Sequence, residues 1–131
     1  MEELVRNSDI ICTTTPSTTP VLPDDKELLR GKCIIAIGSY MPEMREIPDA
    51  VLDLVDNVYI ELPYACEESG DLSQPLASGK LTKDRVKLMH EYLVSGEKEI
   101  KEGQTTYFKS VGMGLFDVCI AQKLYEVAKE K

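Results

Sequence analysis

A short apolar run that ends in polar residues is the first place where this sequence could do chemistry. Cys33–Ile37 (CIIAI) predicts a buried strand, and Gly38 and Ser39 follow it directly, with Tyr40 and Glu46 a little further on. In a parallel sheet covered by helices, ligands bind outside the carboxyl ends of the strands. Gly38 and Ser39 are therefore candidate binding residues, and the glycine would leave room for a ligand. The alternative is an ordinary strand end whose polar residues meet solvent.

Acidic side chains form a second candidate group at Glu67, Glu68 and Asp71. Ser69-Gly70-Asp71 favours a turn, and acids near a helix N-terminus stabilise the helix, so the group also fits a simple helix start. His90, the single histidine, lies beside apolar residues of a predicted helix and is expected at the surface rather than to act as a base.

The four cysteines do not form a metal or disulfide pattern. They are widely spaced, no CxxC occurs, and zinc sites need closely spaced ligands, so no metal site is expected. Cys12, Cys33 and Cys119 lie in apolar runs, which predicts buried, reduced thiols. Cys66 has acidic neighbours, which would raise the pKa of its thiol rather than activate it.

Length and charge exclude several classes of function. With 131 residues the chain is long enough for one domain, and its net charge is −8 with a sequence pI near 4.7. Because no Lys/Arg cluster occurs, binding to nucleic acid or to an acidic membrane surface is not expected. The N-terminus lacks an apolar signal segment, and the longest apolar runs fall far short of the roughly 18 residues that span a membrane. These features predict a soluble, cytoplasmic protein.

Strand and helix patterns alternate along the chain. Four segments favour strands buried on both faces; they are Asp9–Thr15, Cys33–Ile37, Asn57–Leu62 and Thr105–Val111. Helical patterns lie between and after them; they are Pro23–Leu29, Pro48–Val55, Thr82–Ser95 and Leu115–Lys129. The last helix is predicted to present one apolar face, formed by Val118, Ala121, Leu124, Tyr125 and Ala128. The alternation predicts an α/β fold with mainly parallel strands and flanking helices.

Two observations suggest only part of a doubly wound fold. Glu2–Asn7 looks like the end of a helix that leads into the first strand, and no GxGxxG or GxxxxGK[ST] phosphate loop occurs. A small flavodoxin-like module is disfavoured, since neither an acidic phospho-acceptor cluster nor a phosphate loop follows the first strand.

Four segments in a fixed order resemble the ornithine cyclodeaminase/mu-crystallin family. They are SDIICTTTPSTTPVL, CIIAIGSYMPEMREI, ACEESGDL and TTYFKSVGMGLFDV, of which GSYMPEMRE and FKSVG are the specific ones. The resemblance implies that residues 1–131 form a single unit, similar to the second half of a Rossmann-like NAD(P)-binding domain. A C-terminal helix at about 113–131 would extend from it.

The resemblance also implies which residues line the cofactor, NAD or NADP. Those expected near the nicotinamide are Thr14, Thr15, Ile37, Gly38, Ser39, Lys109, Ser110 and Val111. Candidates on the substrate side are Tyr40, Glu68 and Asp117. Cyclodeaminases of the family carry an Asp at the position that matches Tyr40, and a tyrosine, with an unperturbed pKa of about 10, cannot replace it at neutral pH. This departure favours the reductase-like branch.

The expected function follows from what matches the family and what does not. The chain resembles a truncated or split homologue that contributes the nicotinamide side of a site for amino-acid or imino-acid (ketimine) chemistry. Without a phosphate loop it is expected to bind the cofactor weakly and to be inactive alone. It is expected to form a homo-oligomer or to bind a complementary chain. The alternative is a non-catalytic relative that binds a small molecule or a protein, as crystallins of the family do.

Overall fold

A five-stranded, wholly parallel sheet forms the centre of the computed structural model, which describes residues 1–96 and 100–130. The strands lie in the order β1-β2-β5-β3-β4. Their bounds are β1 Ile10–Thr13, β2 Cys33–Ala36, β3 Val58–Ile60, β4 Val86–Leu88 and β5 Thr106–Lys109. The predicted parallel pairing is confirmed, and β5 enters the sheet between β2 and β3.

Seven helices connect or flank the strands in the described part of the chain. They are α1 Glu2–Arg6, α2 Lys26–Leu29, α3 Asp49–Leu54, α4 Ala65–Glu68, α5 Gly70–Ser78, α6 Met89–Ser95 and α7 Gly114–Lys129. The helix predicted from Pro23 begins later because Asp25 is its N-cap, where the carboxylate accepts the backbone N–H groups of Glu27 and Leu28.

The prediction of one helix over Thr82–Ser95 is wrong. A 3-10 turn at Lys83–Arg85 leads into β4, and only Met89–Ser95 is helical. Val86 and Leu88 lie opposite Val58 and Ile60 of β3, so their burial follows the two-residue period of a strand. Three residues are too few for that period to be separated from helical spacing in the sequence.

The two faces of the sheet are covered unequally. One face packs against α1, α2, α3 and α5, and the core there includes Val5, Leu29, Ile34, Leu52 and Leu72. The strand register places alternate residues on the other face, which we call the open face; they include Ile10, Cys12, Cys33, Ile35 and Phe108. All five are exposed or half-buried. Helix α6 covers this face near β3, where the rings of Tyr59 and Tyr92 lie 5.2 Å apart.

The predicted burial of three cysteines is also wrong, and the apolar face predicted for the last helix is exposed. Cys12 and Cys119 are exposed and Cys33 is half-buried. Cys12 and Cys33 lie on the open face, and Cys119 lies on α7, whose residues are all exposed. An apolar pattern predicts that a face will be covered, but the covering surface need not belong to the same 131 residues. Among the described helices, none is long and apolar enough to cross a membrane.

Candidate functional site

Three strands end side by side at one edge of the sheet. The backbone N–H of Ile37 donates to the carbonyl of Thr13 at 2.9 Å, and that of Ser110 donates to the carbonyl of Ala36 at 3.0 Å. We call residues 13–15, 37–39 and 110–112 the carboxyl rim. The predicted cofactor residues Thr14, Thr15, Ile37, Gly38, Ser39, Ser110 and Val111 all belong to it.

A buried carboxylate, Glu46, ties the ends of β1 and β2 together. Its side chain is fully buried and accepts the backbone N–H groups of Thr15 at 2.5 Å and Gly38 at 2.7 Å. The hydroxyls of Thr13 and Thr15 also donate to it, at 2.9 and 2.8 Å. Four N–H and O–H donors thus converge on its two oxygens. In the sequence Glu46 is only an acid a few residues after a strand end, and it was not among the predicted site residues.

Asp71, in the acidic segment after α4, binds the backbone at Glu46. One oxygen of Asp71 accepts the backbone N–H groups of Glu46 at 2.7 Å and Ile47 at 2.9 Å. The hydroxyls of Ser39 and Ser69 share a hydrogen bond of 2.8 Å. The two resemblance motifs GSYMPEMRE and ESGDL therefore pack against each other. Asp71 is a buried structural acid at the start of α5 and does not face solvent.

Lys109 lies beneath the rim rather than on it. Its side chain is fully buried, and its ammonium nitrogen is 3.3 Å from the carbonyl oxygen of Ala36 and 3.7 Å from the carboxylate of Asp71. Burial lowers the pKa of Lys109 and raises the pKa of Asp71, so each group is shifted toward its neutral form despite their mutual attraction. The ammonium group of Lys109 thus lies near Asp71, and only the backbone of Lys109 lies next to the carboxyl rim.

A second buried carboxylate, Glu61, holds the end of β5. One of its oxygens accepts the hydroxyl of Ser110 at 2.8 Å and the backbone N–H groups of Val111 at 2.6 Å and Gly112 at 2.9 Å. Its other oxygen is buried without a hydrogen-bond partner in the described structure. Glu61 was missed because it lies at the end of a strand with apolar neighbours, where nothing local marks a binding role.

Gly38 is required by the packing of the protein itself. A Cβ atom at this position would overlap the backbone nitrogen and oxygen of Thr15 and lie 2.6 Å from the Glu46 carboxylate. A larger residue here would therefore disturb the packing of the two strand ends, and not only the space for a ligand. The glycine allows the end of β2 to approach the end of β1.

The three substrate-side candidates differ in where they lie relative to the carboxyl rim. Tyr40 follows it directly and is 51% exposed. Glu68 ends α4 and is half-buried, and Asp117 lies exposed in the first turn of α7. Among the described hydrogen bonds, none connects the carboxylates of Glu68 or Asp117 to the rim. The described residues also contain no group of three His, Cys, Asp or Glu side chains that could hold a metal ion.

The sequence match to known proteins covers the whole rim and everything that supports it. Residues 1–131 match the profile of the ornithine cyclodeaminase/mu-crystallin family. The chain belongs to this family. It is 37% identical to a Delta(1)-pyrroline-2-carboxylate reductase of Bacillus cereus over 98% of its own length and 40% of that protein's. The chain thus spans about 40% of the length of this curated relative.

Solved structures of family proteins share the fold. A probable ornithine cyclodeaminase from Bordetella pertussis Tohama I superposes with a TM-score of 0.80 at 30% identity, covering 99% of this chain and 42% of that one. A Delta(1)-pyrroline-2-carboxylate reductase from Thermococcus litoralis, in complex with NADH and L-proline, superposes with a TM-score of 0.81 at 24% identity. That match covers 98% of this chain and 40% of the Thermococcus chain. The parallel sheet of this chain therefore has the Rossmann-like α/β fold of these solved family structures.

Proposed function

We propose that this chain supplies the nicotinamide side of an NAD(P) site that serves the reduction of an imino acid. The observation that carries the proposal is the convergence of three strand ends on one rim, in a chain of this family. Thr14 is exposed there and Thr15 is half-buried, so polar groups are available beside the space above the sheet. The names of the relatives support imino-acid reduction, and Tyr40 in place of the cyclodeaminase Asp supports the reductase branch over deamination.

The rim suits a nicotinamide better than it suits phosphates. Phosphate sites need backbone N–H groups that point outward from a glycine-rich turn or a helix N-terminus. Here the N–H groups of Thr15 and Gly38 point inward to Glu46, and the sequence has no such turn. The bound cofactor would supply a hydride, whereas this chain's residues would position the ring and exclude water. The phosphate side would come from polypeptide outside these 131 residues.

The free edge of β1 supports an added partner. β1 (IICT) carries no charge and no proline, although exposed edges usually carry such residues to prevent pairing. At the other edge, β4 is only three residues long and has the exposed Lys87 at its centre. A groove of about 330 Å³ runs along β1, lined in part by Leu4, Ile10 and Val21. The residues of β4 are thus typical of a strand at the edge of a sheet, whereas those of β1 are typical of an interior strand. This difference favours a second polypeptide beside β1, either a complementary chain or a second copy.

The cofactor proposal is tested by NADH and NADPH titrations, followed by cofactor fluorescence and by amide NMR shifts. We expect weak binding, with shifts at rim amides that are reduced by Thr14→Val. Thr18→Val, at another exposed threonine, is the matched control. Adding the remaining part of the Bacillus cereus relative should tighten binding and restore NADH-dependent reduction of its pyrroline substrate. Tight binding by the chain alone would contradict the proposal. So would amide shifts confined to the end of the sheet opposite the carboxyl rim.

The partner proposal is tested by light scattering and sedimentation, alone and with the same added polypeptide. Ile10→Lys, on the free strand, should weaken association. Leu93→Lys, at an equally exposed leucine on α6, should leave it unchanged. A chain that stays monomeric both alone and with the added polypeptide would contradict the partner proposal.

A further inference from the structure

Four backbone N–H groups of the carboxyl rim donate to carboxylates inside the protein. Glu46 takes the N–H groups of Thr15 and Gly38, and Glu61 takes those of Val111 and Gly112. Four backbone N–H groups, from the ends of three strands, thus donate to two carboxylates. This arrangement is the reverse of an anion site, in which successive N–H groups converge on the ligand.

Neither carboxylate forms a direct ion pair within the part of the chain that the structure describes. The one buried lysine below the rim, Lys109, lies near Asp71, and no Lys or Arg among the described residues comes within salt-bridge distance of Glu46 or Glu61. Glu46 is fully buried and Glu61 is 6% exposed. The Oε2 atom of Glu61 is also buried without a hydrogen-bond partner in the described structure. Lys109 is attracted by Asp71, Glu46 and Glu61, so these three acids share one lysine, an excess of two acids over cations beneath the rim.

We propose that Glu46 and Glu61 make the carboxyl rim selective for a cationic aromatic ring, so that it binds the oxidised nicotinamide more tightly than the neutral reduced one. The inference rests on the proposed function and deepens it, since it assigns the rim's preference between the two redox forms. An opposite charge is attracted more strongly where the surroundings exclude water. By linkage, the ratio of the two affinities equals the factor by which the rim favours loss of hydride from the reduced form.

The test uses two small probes that differ in ring charge, 1-methylnicotinamide (a cation) and nicotinamide (neutral). Each is titrated into the ¹⁵N-labelled chain, and the amide shifts of Thr15, Gly38, Val111 and Gly112 are followed. We expect the cation to bind about three- to tenfold more tightly, the range for one or two partly screened charges at ring-contact distances. Glu61→Gln and Glu46→Gln should each reduce that ratio. Glu102→Gln removes one charge from an exposed site that precedes β5, at the end of the sheet opposite the carboxyl rim. It should leave the ratio unchanged.

The outcomes separate this inference from the proposed function. Rim shifts with equal affinity for both probes, or tighter binding of the neutral probe, would overturn the charge selectivity and leave the nicotinamide site standing. No rim shift with either probe at high millimolar concentration would remove the site itself. If a glutamine variant fails to fold, the wild-type ratio between pH-matched low and high salt decides: a salt-independent ratio near one contradicts the inference.

Discussion

The carboxylate oxygen of Asp71 lies 2.7 Å from the backbone nitrogen of Glu46, so one buried acid positions another. Glu46 in turn holds the backbone of Thr15 and Gly38. The start of α5 is thereby connected to the ends of β1 and β2 through two carboxylates. The shape of the rim thus depends on a residue that does not itself belong to the rim.

Replacing Asp71 with Ala should destabilise the fold by about 3 kcal/mol. The change leaves two buried N–H groups without an acceptor and leaves Lys109 without its acidic neighbour. Chemical denaturation of both proteins measures the difference. Asp9→Ala, at an exposed aspartate, should change the free energy of unfolding by less than about 0.5 kcal/mol. Equal effects of the two substitutions would show that the Asp71 contacts contribute nothing specific.

Gly38→Ala should destabilise the protein by about 2 kcal/mol, since the added methyl group overlaps the backbone of Thr15. Gly114 provides a control within the same chain. No heavy atom lies within 4 Å of a Cβ built there, and its φ is not positive. Gly114→Ala at the start of α7 should be neutral or stabilise by about 0.5 kcal/mol. Thermal unfolding of both variants distinguishes the two sites, and a harmless Gly38→Ala would refute the packing argument.

The pH dependence of stability should carry the signature of Asp71. Burial raises its folded-state pKa above the ordinary 3.8, so the folded state binds more protons than the unfolded state between those two values. Its contribution to the free energy of unfolding is therefore greatest below pH 3.8 and declines as the pH rises through the folded pKa. Asp71→Asn keeps an oxygen acceptor and removes the titration, so the stability difference between wild type and this variant should decline over that window.

Thiol labelling should separate the four cysteines by exposure. Cys12 and Cys119 are exposed and should react first. Cys66 should react slowly, because partial burial raises the pKa of its thiol and reduces the reactive thiolate. If a partner strand pairs with β1, adding that partner should protect Cys12 while Cys66 is unaffected. Mass spectrometry of the labelled peptides measures both effects, and unchanged labelling of Cys12 in a confirmed complex would place the partner elsewhere.

Local sequence patterns were sufficient for most of the fold. Apolar β-branched runs predicted β1, β2, β3 and β5, and the parallel pairing followed from the helices between them. The patterns failed where an element is very short, as in β4, or where turn chemistry conceals a helix. Helix α5 begins at Gly70 and contains Pro75, both of which disfavour a helix in isolation.

The apolar face of α7 and the thiol of Cys12 mark a different limit. Their residue types predict burial, yet both are exposed. Burial depends on a neighbouring surface, and a sequence pattern does not state whether that surface lies within the same chain.

By itself the sequence determined the family motifs, the strand ends at Thr15, Gly38 and Ser110, and the absence of a phosphate loop, because these depend on residue types close together along the chain. Only the tertiary structure decided which backbone N–H groups of the rim are bonded within the protein. Glu46 and Glu61 meet amides that lie 8 to 51 residues away in sequence. Hydrogen bonding between such distant groups is set by how the strands pack side by side, and that packing turned these four amides of the rim inward.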